Sequence, residues 1–134
     1  MPELNPVLTE ILRNKFEAIV AEMRATLMST AYSRTISEVG ECCSAIFTEA
    51  SAVVAIDNAV HLPSMGETAM AVRDRFQYEL GANDTILTND PYSGGTRVQD
   101  FTLIAPVSHR EEIVAYLGVR GHIEDFGGDH VHFQ

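Results

Sequence analysis

Positive charge is scarce in this chain. Nine Lys plus Arg stand against nineteen Asp plus Glu over 134 residues, a formal net charge of −10. Nucleic acid or an anionic membrane surface needs clustered cations, so the balance argues against both as partners. Long apolar runs are missing too: no stretch approaches the ~18–20 residues of a membrane span. The N-terminus, MPELNPVLTEILRNKFEAIV, has acids and no basic segment ahead of a continuous apolar block, which is not a signal-peptide pattern. A cytoplasmic location is the expectation. Cysteine is limited to the adjacent Cys42 and Cys43, whose side chains leave a strand on opposite faces. They build neither a disulfide framework nor a zinc knuckle, and read as small buried residues in a reducing compartment. The chain also lacks G-x-S-x-G, a Cys–His signature and a dinucleotide-binding glycine pattern.

What is present is an ordinary globular composition, 46% apolar and 21% charged with a mean hydropathy of +0.01. It suits one domain over residues 1–134. Asn5 and Pro6 open a helix in which Leu8, Leu12, Phe16, Ile19, Val20, Met23, Leu27 and Ala31 recur at three- and four-residue steps, to about Tyr32. Part of so long a stripe is available to a partner chain or to further sequence. Ser33–Glu41 reads as a loop. Cys43–Thr48 and Ala52–Ile56 form a β-hairpin, and Asn58–Pro63 an irregular connection. Ser64-Met65-Gly66-Glu67 fits a capping box for a second helix, with Ala69, Val72, Phe76 and Leu80 inward and Gly81 as its stop. A short strand at Thr85–Thr88 precedes a glycine loop, and Phe101–Val107 with Glu112–Val119 makes a second hairpin. The fold class is therefore α+β, with a mostly antiparallel sheet.

Chemistry-bearing residues concentrate between Thr88 and His130. Asp100 lies just before one strand of the second hairpin and His122 just after the other, so antiparallel pairing brings them side by side. A carboxylate plus an imidazole suits Zn, Mn or Fe, given one or two more ligands such as Asp125 or His130. The plainer alternative is that His122 and Asp125 hydrogen-bond a tight turn. Gly94-Gly95-Thr96 can present backbone N–H groups to an anion but lacks the Lys and spacing of a P-loop. Its glycines equally serve unusual dihedrals. Asp129, His130 and His132 form a D-H-x-H cluster, either metal ligands or surface groups near the chain end. His61, between apolar neighbours and ahead of Pro63, is a candidate substrate contact or a structural histidine.

Several blocks together resemble the N-terminal part of the hydantoinase B/oxoprolinase family, which includes α-type subunits of acetone and acetophenone carboxylases. They are Thr30–Ser33 with Glu38, Ser44–Phe47, Val60–Met65, Asn89–Thr96 with Asp100, and Gly121–Gly128, in the family's order. The resemblance implies one portion of a larger subunit, present as a split subunit or a fragment. It implies work beside a partner that uses ATP and Mg to activate a carbonyl, followed by cyclic-amide hydrolysis or ketone carboxylation of a small-molecule substrate. A divalent metal, Mn or Zn, held by an H-x-x-D pair and a later His is implied as well. Asp100 and His122 fall on two of those positions, but Arg97 stands where the first His would be, and a guanidinium cannot ligate a metal. Either Arg97 supplies fixed positive charge to an oxyanion or phosphate instead, or His130 or Asp129 completes the shell. The expected site is thus Asp100, His122, Arg97 and Asp125 for catalysis, with Asn89, Asp90, Gly94, Gly95 and His61 around the substrate. Two other readings remain: a non-catalytic assembly subunit, and a free-standing metal-binding module.

Overall fold

A computed structural model of the chain describes residues 5–76, 79–124 and 126–127. Helix α1 spans Pro6–Thr30 and opens as expected, the Asn5 side chain accepting from the N–H groups of Val7 and Leu8 at 3.0 and 3.4 Å. It ends where Ala31 turns extended, ψ 136°. Only Val20 of this helix is fully buried, while Val7, Leu8, Ile11, Leu12 and Ile19 stay exposed.

The segment expected as a plain loop contains a π-helical turn, Thr35–Val39, closed by Gly40 at φ 77°. Tertiary packing sets this turn: Ile36 presses on Gly121, where a Cβ would come 2.6 Å from Ile36 Cδ1. Arg24 of α1 holds it from outside by donating to Gly40 O at 2.8 Å.

The two expected hairpins form, and five strands are present: β1 (Cys42–Thr48), β2 (Val53–Ile56), β3 (Ile86–Thr88), β4 (Asp100–His109) and β5 (Glu112–His122). They form one sheet of order β2-β1-β5-β4-β3, every neighbour antiparallel. Strand β1 is covered on both sides, which explains its continuous apolar run. Cys43, Ala45 and Phe47 join Met65, Ala69 and Val72 of helix α2 (Leu62–Phe76), with Ile104 and Tyr116. Ile46 turns the other way, to Val20 of α1 and Ala55.

Helix α2 begins two residues before the expected capping box. Asn58 instead caps a short 3-10 turn, Ala59–His61, that runs straight into the helix. Ser64 is therefore inside the helix, its hydroxyl donating to His61 O at 3.1 Å. Gly81 is not the stop either; α2 ends at Phe76, and the Gly81 N–H belongs to a later turn closed by Asp84 Oδ2 at 2.7 Å.

The β4–β5 hairpin turns on two residues, Arg110 and Glu111, both left-handed at φ 51° and 71°, as a two-residue primed turn demands. Just past it the register steps: Ser108 faces Ile113, but Val107 faces Ala115, so Val114 has no partner across the ladder. From there the pairs run Ile104–Gly118, Thr102–Arg120 and Asp100–His122. Because side chains alternate, all of these share the face that meets α2.

Candidate active site

The last pair of that ladder brings together the two groups expected to meet. His122 Nδ1 lies 2.8 Å from Asp100 Oδ1, and Asp100 is only 4% exposed. Thr96 donates to the other oxygen, Oδ2, and Arg97 Nε approaches it at 3.4 Å. Burial alone would push the Asp100 carboxyl up; hydrogen bonds from Thr96 and His122 and the Arg97 charge outweigh it and hold the group below its ordinary range. An ionised Asp100 can only accept, so Nδ1 carries the proton of their hydrogen bond and Nε2 is the ring nitrogen left for other partners.

The backbone around the pair is tied at several points. His122 N–H donates to Glu41 O at 3.1 Å, Ile123 N–H to Gln99 O at 2.9 Å, and Ser33 Oγ to His122 O at 3.3 Å. Arg97 reaches Glu41 Oε2 at 3.7 Å as well as Asp100, so two carboxylates already balance its charge, and its side chain is 57% exposed.

A cleft of about 190 Å³ opens on these groups, lined by Asn58, His61, Arg97, Asp100, Arg120 and His122, with Gly40–Cys42 along one side. Burial, and next the Arg120 charge, lower the His61 pKa below its ordinary 6.5, so this ring is neutral at physiological pH. Wider clefts of about 570 and 540 Å³ lie elsewhere, but neither joins a carboxylate to an imidazole.

Asn89, Asp90, Gly94 and Gly95 do not line this cleft; they build the loop beside it. Asn89 Nδ2 donates to Val98 O at 2.8 Å, and Asp90 accepts from Tyr92 N–H and Ser93 Oγ at 2.9 and 2.6 Å. Gly94, at φ 80°, lies so close to α2 that a Cβ would come 2.3 Å from Thr68 N. That approach carries its carbonyl to a site residue the sequence reading missed, Arg120.

Arg120 is 1% exposed. Its guanidinium donates to Thr102 Oγ1 at 2.7 Å, Ser64 Oγ at 2.6 Å, Thr68 Oγ1 at 2.8 Å and Gly94 O at 3.1 Å. The signal was in the alternation: Tyr116 and Gly118 face the core, so the residue two further along is due to face it too.

Asp125, Asp129, His130 and His132 lie outside the described residues. Among the described residues no group of three or more His, Cys, Asp or Glu is placed to hold a metal ion. Both Asp100 oxygens are engaged by Thr96, Arg97 and His122, so the described donors alone do not make a metal shell.

An acid–imidazole pair thus stands at the end of a five-stranded antiparallel sheet, with α2 on one face, α1 on the other and a glycine loop beside it. Residues 5–132 match the family model for hydantoinase B/oxoprolinase, and the chain belongs to that family. It is 35% identical over 130 residues to a 5-oxoprolinase of Pestalotiopsis fici, covering 94% of this chain and 10% of that protein. Caprolactamase subunit beta of Pseudomonas jessenii is 27% identical over 130 residues, with 96% of this chain and 22% of the subunit covered. In three dimensions the chain is similar to nucleotide-free acetone carboxylase, with TM-score 0.81, 23% identity, and 92% of this chain and 17% of that one covered. It is similar also to the ATP-dependent caprolactamase of Pseudomonas jessenii, with TM-score 0.82, 24% identity, and coverage of 94% and 22%. The chain thus spans 10% of the 5-oxoprolinase and 22% of the caprolactamase subunit. Among the described residues no helix is long and apolar enough to cross a membrane.

Proposed function

We propose that the cleft at Asp100 and His122 is the acid–base centre of a multi-subunit, ATP-dependent enzyme acting at a carbonyl. The substrate class is a cyclic amide of hydantoin or 5-oxoproline type, or a ketone of acetone or acetophenone type. One observation carries this reading: a buried carboxylate held ionised against Nδ1 of an imidazole that lines a small cleft beside a buried guanidinium. Such a pair moves protons. His122 Nε2 takes a proton from water attacking an amide carbonyl, or from the carbon beside a ketone carbonyl. Asp100 keeps the ring oriented and steadies the imidazolium that results. Arg97, bridging Asp100 and Glu41, positions the carboxylate. ATP and Mg belong to a partner subunit, and the remainder of the hydantoinase B-like subunit completes the walls of the cleft.

The test uses the full-length subunit in its assembled complex. Asp100→Asn and His122→Gln are each expected to lower turnover by about 10²–10⁴-fold, with the complex eluting unchanged in size-exclusion chromatography. Turnover within about twofold of wild type in both variants would leave only the assembly reading. The exposed apolar residues of α1, from Val7 to Ile19, are what favours that second reading.

A further inference from the structure

Arg120 is unusual in how its charge is compensated. All four of its hydrogen-bond acceptors are neutral: three hydroxyls and one carbonyl. No carboxylate among the described residues lies within ion-pair distance of it. A guanidinium has five N–H donors, so these bonds leave an Nη1 N–H over on a residue that lines the cleft. A buried cation with no direct ion pair, and only the charge of Asp100 across the cleft to favour it, is costly to keep, and simpler apolar packing would hold α2 to the sheet without that cost. The surroundings fit a guest rather than an internal partner. Asp100 is already committed to Thr96, Arg97 and His122, while Arg97 is balanced by Asp100 and Glu41.

We propose that Arg120 is the anchor of an oxyanion subsite in this cleft, binding a phosphoryl or carboxylate group of the substrate or activated intermediate beside His122 Nε2. The inference rests on the cleft being the reaction site and names Arg120, not Arg97, as the fixed positive charge. The four neutral acceptors hold the guanidinium plane rigid, so the remaining N–H is aimed before the anion arrives, and little reorganisation is needed on binding. A single charge-assisted N–H donor suits either a tetrahedral or a planar oxyanion.

Inorganic phosphate and acetate, titrated by calorimetry into the full-length subunit in its complex, test this directly. Wild type is expected to bind at least one of them, and the tighter of the two identifies the phosphoryl or the carboxylate source. Arg120→Met is expected to weaken that binding on the order of tenfold or more. Leu8→Ser, on the exposed side of α1 and away from the cleft, should bind the anion as wild type does. Asn58→Asp provides a second route if Arg120→Met does not fold. It retains the side-chain oxygen that accepts from Val60 N–H at 3.2 Å while adding a negative charge to the lining, and should also weaken binding. No binding by wild type, or undiminished binding in Arg120→Met or Asn58→Asp, overturns the proposal. Turnover lost in His122→Gln while phosphate and acetate fail to bind would reject the subsite alone. Anion binding that depends on Arg120, with turnover intact in His122→Gln, would reject the acid–base reading alone.

Discussion

The face of the β4–β5 ladder under α2 has two ends with opposite characters. Toward the hairpin it carries Ile104, Gly118 and Tyr116, packed with Phe47 and Met65 in a core that excludes water. Toward the strand ends the same alternation delivers Thr102, Arg120, Asp100 and His122. One backbone geometry therefore serves both, and the apolar end supplies the rigidity that keeps the ionisable end in position. Stability and chemistry are drawn from different rungs of one ladder.

Substitutions at the two ends should separate. The largest loss of stability is expected at Phe47→Ala, about 3–5 kcal/mol by chemical denaturation. Asp100→Asn should cost less stability than this while removing most turnover; a variant set in which both ends lost stability and turnover in step would erase the contrast. Next comes Gly118→Ala, whose Cβ would sit 2.8 Å from a Phe47 ring carbon. Overpacking there is expected to destabilise by about 1–3 kcal/mol, read in the same denaturation assay.

A smaller effect separates the ends by pH. His61 has a folded pKa below its ordinary 6.5, so its contribution is fully present above 6.5 and is lost as the pH falls below that value, where the unfolded chain takes up a proton that the fold disfavours. Asp100, also lowered, adds a further loss only below its ordinary 3.8. Denaturation at pH 7.5 and pH 5 should therefore show wild type weaker at pH 5, and His61→Gln should flatten part of that slope. An unchanged slope would place His61 outside the ionic end. Smallest of all is Leu8→Ser on the exposed side of α1, within about 0.5 kcal/mol for the isolated fold.

Much of this arrangement was legible in the sequence because it follows from local rules. Strand pattern and a short polar turn pointed to the β4–β5 hairpin, and antiparallel pairing then put Asp100 and His122 within reach of each other, though not the unpaired Val114 that sets them face to face. The errors have tertiary causes. Ile36 meeting Gly121 makes a π-helical turn out of a polar loop, and no local pattern announces that contact. Ser64 looks like a cap but sits inside α2, where its hydroxyl receives Arg120. Asn89 and Asp90 carry ligand-type atoms, yet turns use the same atoms to bind their own backbone, and here they do. Arg120 was overlooked because the expected strand stopped at Val119; β5 runs on to His122, and alternation along it turns Arg120 inward.

The unmatched Val114 has a reach beyond its own position. Were Val114 drawn into the ladder opposite Val107, the pairing would run on unbroken and set Asp100 opposite Gly121, sending Arg120 and His122 to the far side of the sheet. Leaving one residue out of the ladder roughly 24 Å from the carboxylate, at about 3.4 Å per residue, therefore sets which side chains meet it. Exchanging Val114 for another side chain ought to be harmless, and deleting it should keep Asp100 opposite His122, because Val107 then meets Ala115 in a continuous ladder.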